Sequence, residues 1–124
     1  MRVLEMTRPG APDVLRVADH RIPTAGPGQV LIRVAYAGLN FTDVVARRGA
    51  PGYAGQWPFV PGMEVAGTVE GPVGEGVAGL TPGDVVVAFT PNGGGFADFV
   101  VVDARLTAAV PAGVDLAAAT TVAN

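Results

Sequence analysis

Residues Gly74–Gly79 read GEGVAG, and their three glycines fall in the spacing G-x-G-x-x-G. Such a loop cradles the pyrophosphate of a dinucleotide when a helix starts at its last glycine and turns its positive dipole end toward the phosphates. The context here differs: Pro82 and Gly83 follow closely, and then come Val85, Val86 and Val87. A strand is expected after the glycines, so the motif lacks the element that gives it its chemistry. GEGVAG is expected to connect two antiparallel strands. No other segment offers a strand–loop–helix unit of this kind, so the chain is expected to bind no dinucleotide by itself.

Other reactive residue types are few. The 124 residues contain no Cys. That excludes disulfides, a thiolate nucleophile and cysteine-ligated zinc or iron–sulfur centres. The one histidine, His20, precedes "RIP" at a strand end and is expected to be an ordinary surface residue. Asn40 and Asp43 stand three apart, as in a capping box, so Asp43 is expected to be structural. Glu64 follows Met63 in a strand expected to be buried, where a carboxylate needs a partner. Tyr53, Trp57 and Phe59 gather in one loop, either as an apolar substrate wall or as a cluster packed on the body of the domain.

The elements that must carry these residues are mostly strands. Hydrophobic residues make up 49% and charged residues 15%, with 18 Gly and 11 Pro, which suits a folded chain of short elements and many turns. Strands are expected over 2–7, 14–19, 30–39, 63–70, 85–90 and 96–103, with a last strand and turn over 106–113, the first two strands as a hairpin. One short helix is expected from Phe41 to Arg48, capped by Asn40, with Gly49 in the left-handed position after its end. Arg47 and Arg48 are expected to form its solvated end. "PNGGG" (Pro91–Gly95) is expected to be a flexible tip. Asp115 is expected to cap a last helix that stops at Asn124 with its apolar face unpartnered. The class is mainly β, a partly open barrel or sandwich.

Several pieces then come in a telling order: "GPGQVLIRVAYAGLNFTD" (Gly26–Asp43), "VPGMEVAGTVE" (Val60–Glu70), "GDVV", "GGFADFVVVD" and "VPAGVDLAAA". The ordered set resembles the N-terminal, GroES-like domain of the medium-chain dehydrogenase/reductase superfamily. It is most similar to the zinc-free branch of quinone oxidoreductases, VAT-1-like proteins and enoyl reductases. The resemblance runs over residues 1–124. It implies a GroES-like, partly open β-barrel with one short internal helix and a truncated C-terminal helix, and a separate Rossmann cofactor domain absent from this chain.

The resemblance also implies roles. Asn40 and Met63 stand where zinc-dependent relatives place Cys and His, and a neutral amide and a soft thioether are poor ligands for zinc. No metal is expected. Asn40 is expected near the nicotinamide and the substrate carbonyl, where its amide can donate to a developing oxyanion. Thr42 stands at the position of a hydroxyl proton relay, and Tyr53 lies a couple of residues beyond the place of a proton-donating tyrosine. Both are weaker catalytic candidates. Phe41, Trp57, Phe59 and Met63 complete the expected cleft for substrate and cofactor.

For the parent, the implied activity is reduction of a quinone or an activated C=C or C=O bond by NADPH. The alternative is a non-catalytic barrel module acting by protein interaction. Expected partners are a small-molecule substrate and the missing Rossmann domain, with a homodimer formed through apolar surface. A net charge of −3 with scattered arginines suits neither nucleic acid nor an anionic membrane. No apolar run approaches the ~20 residues of a membrane span, and the first residues do not read as a signal peptide, so a cytoplasmic location is expected.

Overall fold

The computed structural model describes residues 1–122. A hairpin of β1 (Arg2–Glu5) and β2 (Arg16–Asp19) opens the chain, and a 3-10 turn at Pro12–Val14 delays the second strand. A five-stranded antiparallel sheet follows. It consists of β3 (Gln29–Ala37), β4 (Glu64–Glu70), β5 (Val85–Phe89), β6 (Phe99–Asp103) and β7 (Thr107–Ala109), in spatial order β6-β3-β4-β5-β7. Helices α1 (Phe41–Arg47) and α2 (Leu116–Ala119) complete the fold, so it is mainly β, as its composition implies.

Period-two alternation builds the core. Val30 and Ile32 of β3, Val65 and Val69 of β4, Val86 and Ala88 of β5, and Val100 and Val102 of β6 form one buried cluster. The register sets Ile32 opposite both Val69 and Val100, which keeps these side chains on one face. At Gly67 of β4, a Cβ would run into the Arg33 carbonyl oxygen. The pairing of β3 with β4 slips by one residue between Val34 and Tyr36, next to that close approach. Such a bulge turns the strand end, and beyond it Tyr36 is half exposed. A second cluster of Met6, Val14, Ala46 and Phe59 ties the hairpin and α1 to the long loop.

The GEGVAG segment connects β4 to β5, which pair antiparallel, and no helix starts at Gly79. Gly74 is buried: its N–H donates to the Gln29 carbonyl at 2.9 Å, and a Cβ there would overlap the Gly26 oxygen. The glycine serves a close crossing of two backbones.

Three expectations are corrected. The tip at Pro91–Gly95 is laced to the preceding loop, with Gly94 N donating to Val60 O (2.7 Å) and Gly95 N to Gly62 O (3.0 Å). Arg47 is not a solvated end, since its guanidinium donates to the Gly10 carbonyl at 2.6 Å while Gly10 N donates back to Arg47 O. The last helix is one turn capped by Asp115, continued by a 3-10 turn at Thr120–Val122. It has a partner, because Ala119 and Thr120 are buried where this segment meets β4 and β5. The expected stop at Asn124 lies outside the described residues.

Candidate functional site

The first turn of α1 is fixed by one carboxylate. Asp43 is 4% exposed; its Oδ2 accepts from the Asn40 N–H at 2.8 Å, the return arm of a capping box, and its Oδ1 accepts from the Gly62 N–H at 2.9 Å. Gly62 is held at its other end too, since its carbonyl accepts from the Thr90 hydroxyl at 2.7 Å. The helix start is thereby locked to the chain just ahead of Met63 and Glu64. A further tie runs from Gly38 N to Glu64 O at 3.0 Å, and Gly38 has no room for a Cβ because the Glu64 carboxylate packs against it.

Three polar side-chain atoms on these locked segments are buried without a hydrogen-bond partner among the described residues: Asn40 Nδ2, Thr42 Oγ1 and Glu64 Oε2. Each such atom costs about 1–3 kcal/mol, so three together form an unusual arrangement. They offer an amide donor, a hydroxyl that donates or accepts, and a carboxylate acceptor. Phe41 and Leu39, 74% and 76% exposed, flank Asn40 in sequence and form an apolar rim.

The structure divides the other expected residues. Met63 is buried beside Glu64 in the chain. Tyr53 and Phe59 line a separate cavity that includes neither Asn40 nor Thr42. Phe59 is also 4% exposed and belongs to the second core cluster, so it is in part the packed residue that one of the two readings allowed. Trp57 is half exposed and meets Phe59 edge to face, with ring centroids 6.4 Å apart. Among the described residues no three His, Cys, Asp or Glu side chains cluster as a metal site, and no helix is long and apolar enough to cross a membrane.

One cluster escaped sequence reasoning. Glu5 is 2% exposed; its Oε2 accepts from Arg16 Nη2 and Nε at 2.8 and 3.0 Å, and its Oε1 meets His20 Nε2 at 2.5 Å. The Arg16 hydrogen bonds, and then that of His20, hold the Glu5 carboxyl below its usual range. His20 is therefore half buried and paired, not an ordinary surface residue. The hairpin register, which sets Arg16 opposite Glu5, was the available signal.

Comparison with known proteins agrees with this architecture. The alcohol dehydrogenase GroES-like domain matches residues 26–112. The chain belongs to that family, the N-terminal domain type of medium-chain dehydrogenases/reductases. Within it, the chain is 34% identical over 116 residues to the quinone oxidoreductase of Rattus norvegicus, covering 93% of this chain and 35% of that protein. Among solved structures, human synaptic vesicle membrane protein VAT-1 homolog-like protein superposes with a TM-score of 0.88 at 32% identity, covering 94% of this chain and 37% of that one. Escherichia coli quinone oxidoreductase, solved in complex with NADPH, superposes with a TM-score of 0.91 at 26% identity, covering 97% and 36%. The chain thus spans about a third of the length of these relatives.

Proposed function

We propose that this chain is the substrate-side domain of a zinc-free, NADPH-dependent oxidoreductase that reduces a quinone or an activated C=C or C=O bond. It works with a Rossmann-type nucleotide domain outside these 124 residues. The observation that carries the reading is the set of three unpartnered buried atoms, Asn40 Nδ2 and Thr42 Oγ1 at the start of α1 and Glu64 Oε2 at the start of β4. A nicotinamide and a carbonyl substrate together present the donors and acceptors that this set lacks, so the residues fit the group. NADPH, when bound, supplies a hydride. The chain's own residues do the rest. Asn40 donates from Nδ2 to a substrate oxygen as negative charge builds there, and Asp43 holds Asn40 in place. The Thr42 hydroxyl donates to or accepts from the same region. The rim of Leu39 and Phe41 packs under the nucleotide domain and excludes water.

The test uses the intact parent. Asn40→Ala should lower kcat about 10²–10³-fold, the usual cost of one oxyanion donor, with little change in KM for NADPH. Unchanged kcat would refute the assignment. Mixed alone with NADPH, the 124-residue chain should show no saturable quenching of Trp57 fluorescence, and stoichiometric micromolar binding would contradict the division of labour.

The non-catalytic alternative finds its support in the exposed apolar rim, which a second copy would cover as well as a nucleotide domain would. Sedimentation of the chain separates the two, since only the module reading requires a tight dimer.

A further inference from the structure

We propose that Asn92 is a self-modification site: the Gly93 nitrogen displaces its side-chain amide as ammonia, the lacing of the loop gates that step, and the isoaspartyl product loosens the clamp on Gly62.

The pair Asn92-Gly93 sets the reacting atoms side by side. The Gly93 amide nitrogen, once its proton has passed to base, forms a bond to Asn92 Cγ. The Cγ–Nδ2 bond breaks, and ammonia leaves with a proton returned by solvent. Water then opens the five-membered imide at either carbonyl, giving aspartate or isoaspartate. Nothing is oxidised or reduced, and water is the only co-reactant. Glycine suits the second position because it has no Cβ to crowd the closing ring. Asn92 is exposed, so base and water reach it. It is the one asparagine of the sequence followed by glycine, since Asn40 precedes Phe41 and Asn124 is the last residue.

The fold withholds the nucleophile. Gly93 N donates to Thr90 O at 3.0 Å and closes the turn, while Gly94 N and Gly95 N donate to Val60 O and Gly62 O. A hydrogen-bonded N–H gives up its proton less readily, and the imide ring closes only when Asn92 turns about its backbone. The Val60 carbonyl and the Phe59 ring pack against Gly93, so that turn also requires the facing loop to part. The reaction therefore draws on a locally open state.

The isoaspartyl product does not fit back. Ahead of the pair the chain is clamped at Thr90, whose N–H donates to Met63 O at 2.8 Å and whose hydroxyl donates to Gly62 O at 2.7 Å; beyond it the chain is clamped at Gly94. Only Pro91, Asn92 and Gly93 lie between. Isoaspartate routes the main chain through the side-chain carbon and adds a methylene to this short span. The bonds that follow lose register, and Gly62, which accepts from Thr90 and Gly95 and donates to Asp43 Oδ1, loses an anchor. Plain aspartate adds a charge without the methylene and leaves the lacing in place.

Incubation in mildly alkaline buffer, read by mass and peptide mapping, is the test. A peptide of residues 88–97 and the urea-unfolded chain should both convert at Asn92. The native chain should convert more slowly by a factor between about 10 and about 10³, as opening three backbone hydrogen bonds requires. That factor should match the amide-exchange protection of Gly93 within about threefold. Asn92→Ser should show no conversion. The isoaspartyl form, aged in urea and refolded beside Asn92→Asp, should exchange the Gly62 amide about tenfold faster than that variant. Equal rates in peptide and native chain, conversion that persists in Asn92→Ser, or the same Gly62 exchange in the isoaspartyl form and in Asn92→Asp would each overturn the proposal.

Discussion

Asp43 is the residue whose removal should tell most about how the site is held. Its two oxygens satisfy the buried Gly62 N–H and the partly buried Asn40 N–H. Asp43→Ala strands both donors. The buried Gly62 N–H should cost about 1–3 kcal/mol, and the loss of the arm at the helix start about 0.5–2 kcal/mol more, for a total near 2–4 kcal/mol. A domain of this size is stable by only about 5–15 kcal/mol, so the effect is large. With a urea m-value of about 1–3 kcal/mol/M, the midpoint should fall by about 1–2 M. Asp43→Asn keeps one acceptor oxygen and should lose roughly half as much. Urea unfolding followed by Trp57 fluorescence and far-UV circular dichroism gives the global number. Amide hydrogen exchange gives the local one: protection at Gly62 should drop more than at Val65, which sits in the sheet core. A change in stability below about 0.5 kcal/mol for Asp43→Ala, within the range of ordinary surface substitutions, would refute the reasoning.

Three further perturbations probe other parts of the argument. Because the folded-state pKa of Glu5 lies below its unfolded value of 4.5, its stabilising effect is complete above that value and is lost as pH falls through the folded pKa. The urea midpoint of the wild type should therefore exceed that of Glu5→Gln at about pH 5.5 and converge on it toward about pH 3; a gap that widens in acid contradicts the pairing. Gly74→Ala drives a Cβ into the Gly26 oxygen and should destabilise by more than about 2 kcal/mol, whereas Gly76→Ala, with open space around it but a φ of +81°, should cost about 1 kcal/mol. Equal costs in thermal melts would remove the close-crossing explanation of Gly74. Thr42→Val replaces an unpartnered buried hydroxyl with a methyl group, so in the chain alone it should be neutral or stabilising by up to about 1 kcal/mol while lowering turnover of the parent; marked destabilisation in denaturant would show that the hydroxyl already has a partner.

The sheet was legible because its signal is local. Valines and isoleucine at Val30, Ile32, Val65, Val69, Val86, Val100 and Val102 alternate in sequence and bury one face in the structure. The capping pair of Asn40 and Asp43 and the left-handed Gly49 likewise depend on neighbours a few residues away. What could not be read depends on distant partners. The glycines of Pro91–Gly95 resemble a loose tip until Val60 and Gly62 are seen to supply their hydrogen bonds. Arg47 finds Gly10 across 37 positions. His20 looked solvated because nothing beside it in sequence announces that Glu5 is buried under it. The one-turn α2 and the turn after it bury Ala119 and Thr120 against β4 and β5, a contact that helical periodicity alone cannot show.

Asn40 shows why the cap and the site belong together. A capping asparagine ordinarily spends its side-chain oxygen on the helix N–H groups, and its amide nitrogen is then left over. On an exposed surface water takes that nitrogen, at no cost. Here it is buried, and so are the Thr42 hydroxyl two residues on and the Glu64 carboxylate across the Gly38 contact. The carboxylate of Asp43 fixes the backbone of Asn40 at the helix start, and with it the point from which the Asn40 side chain departs. Dry and unpaired is a poor state for three polar atoms in a domain that gains nothing from it. It is the state that a donor–acceptor pair arriving from outside would find ready, because the ordering and desolvation that binding requires have already been done in folding.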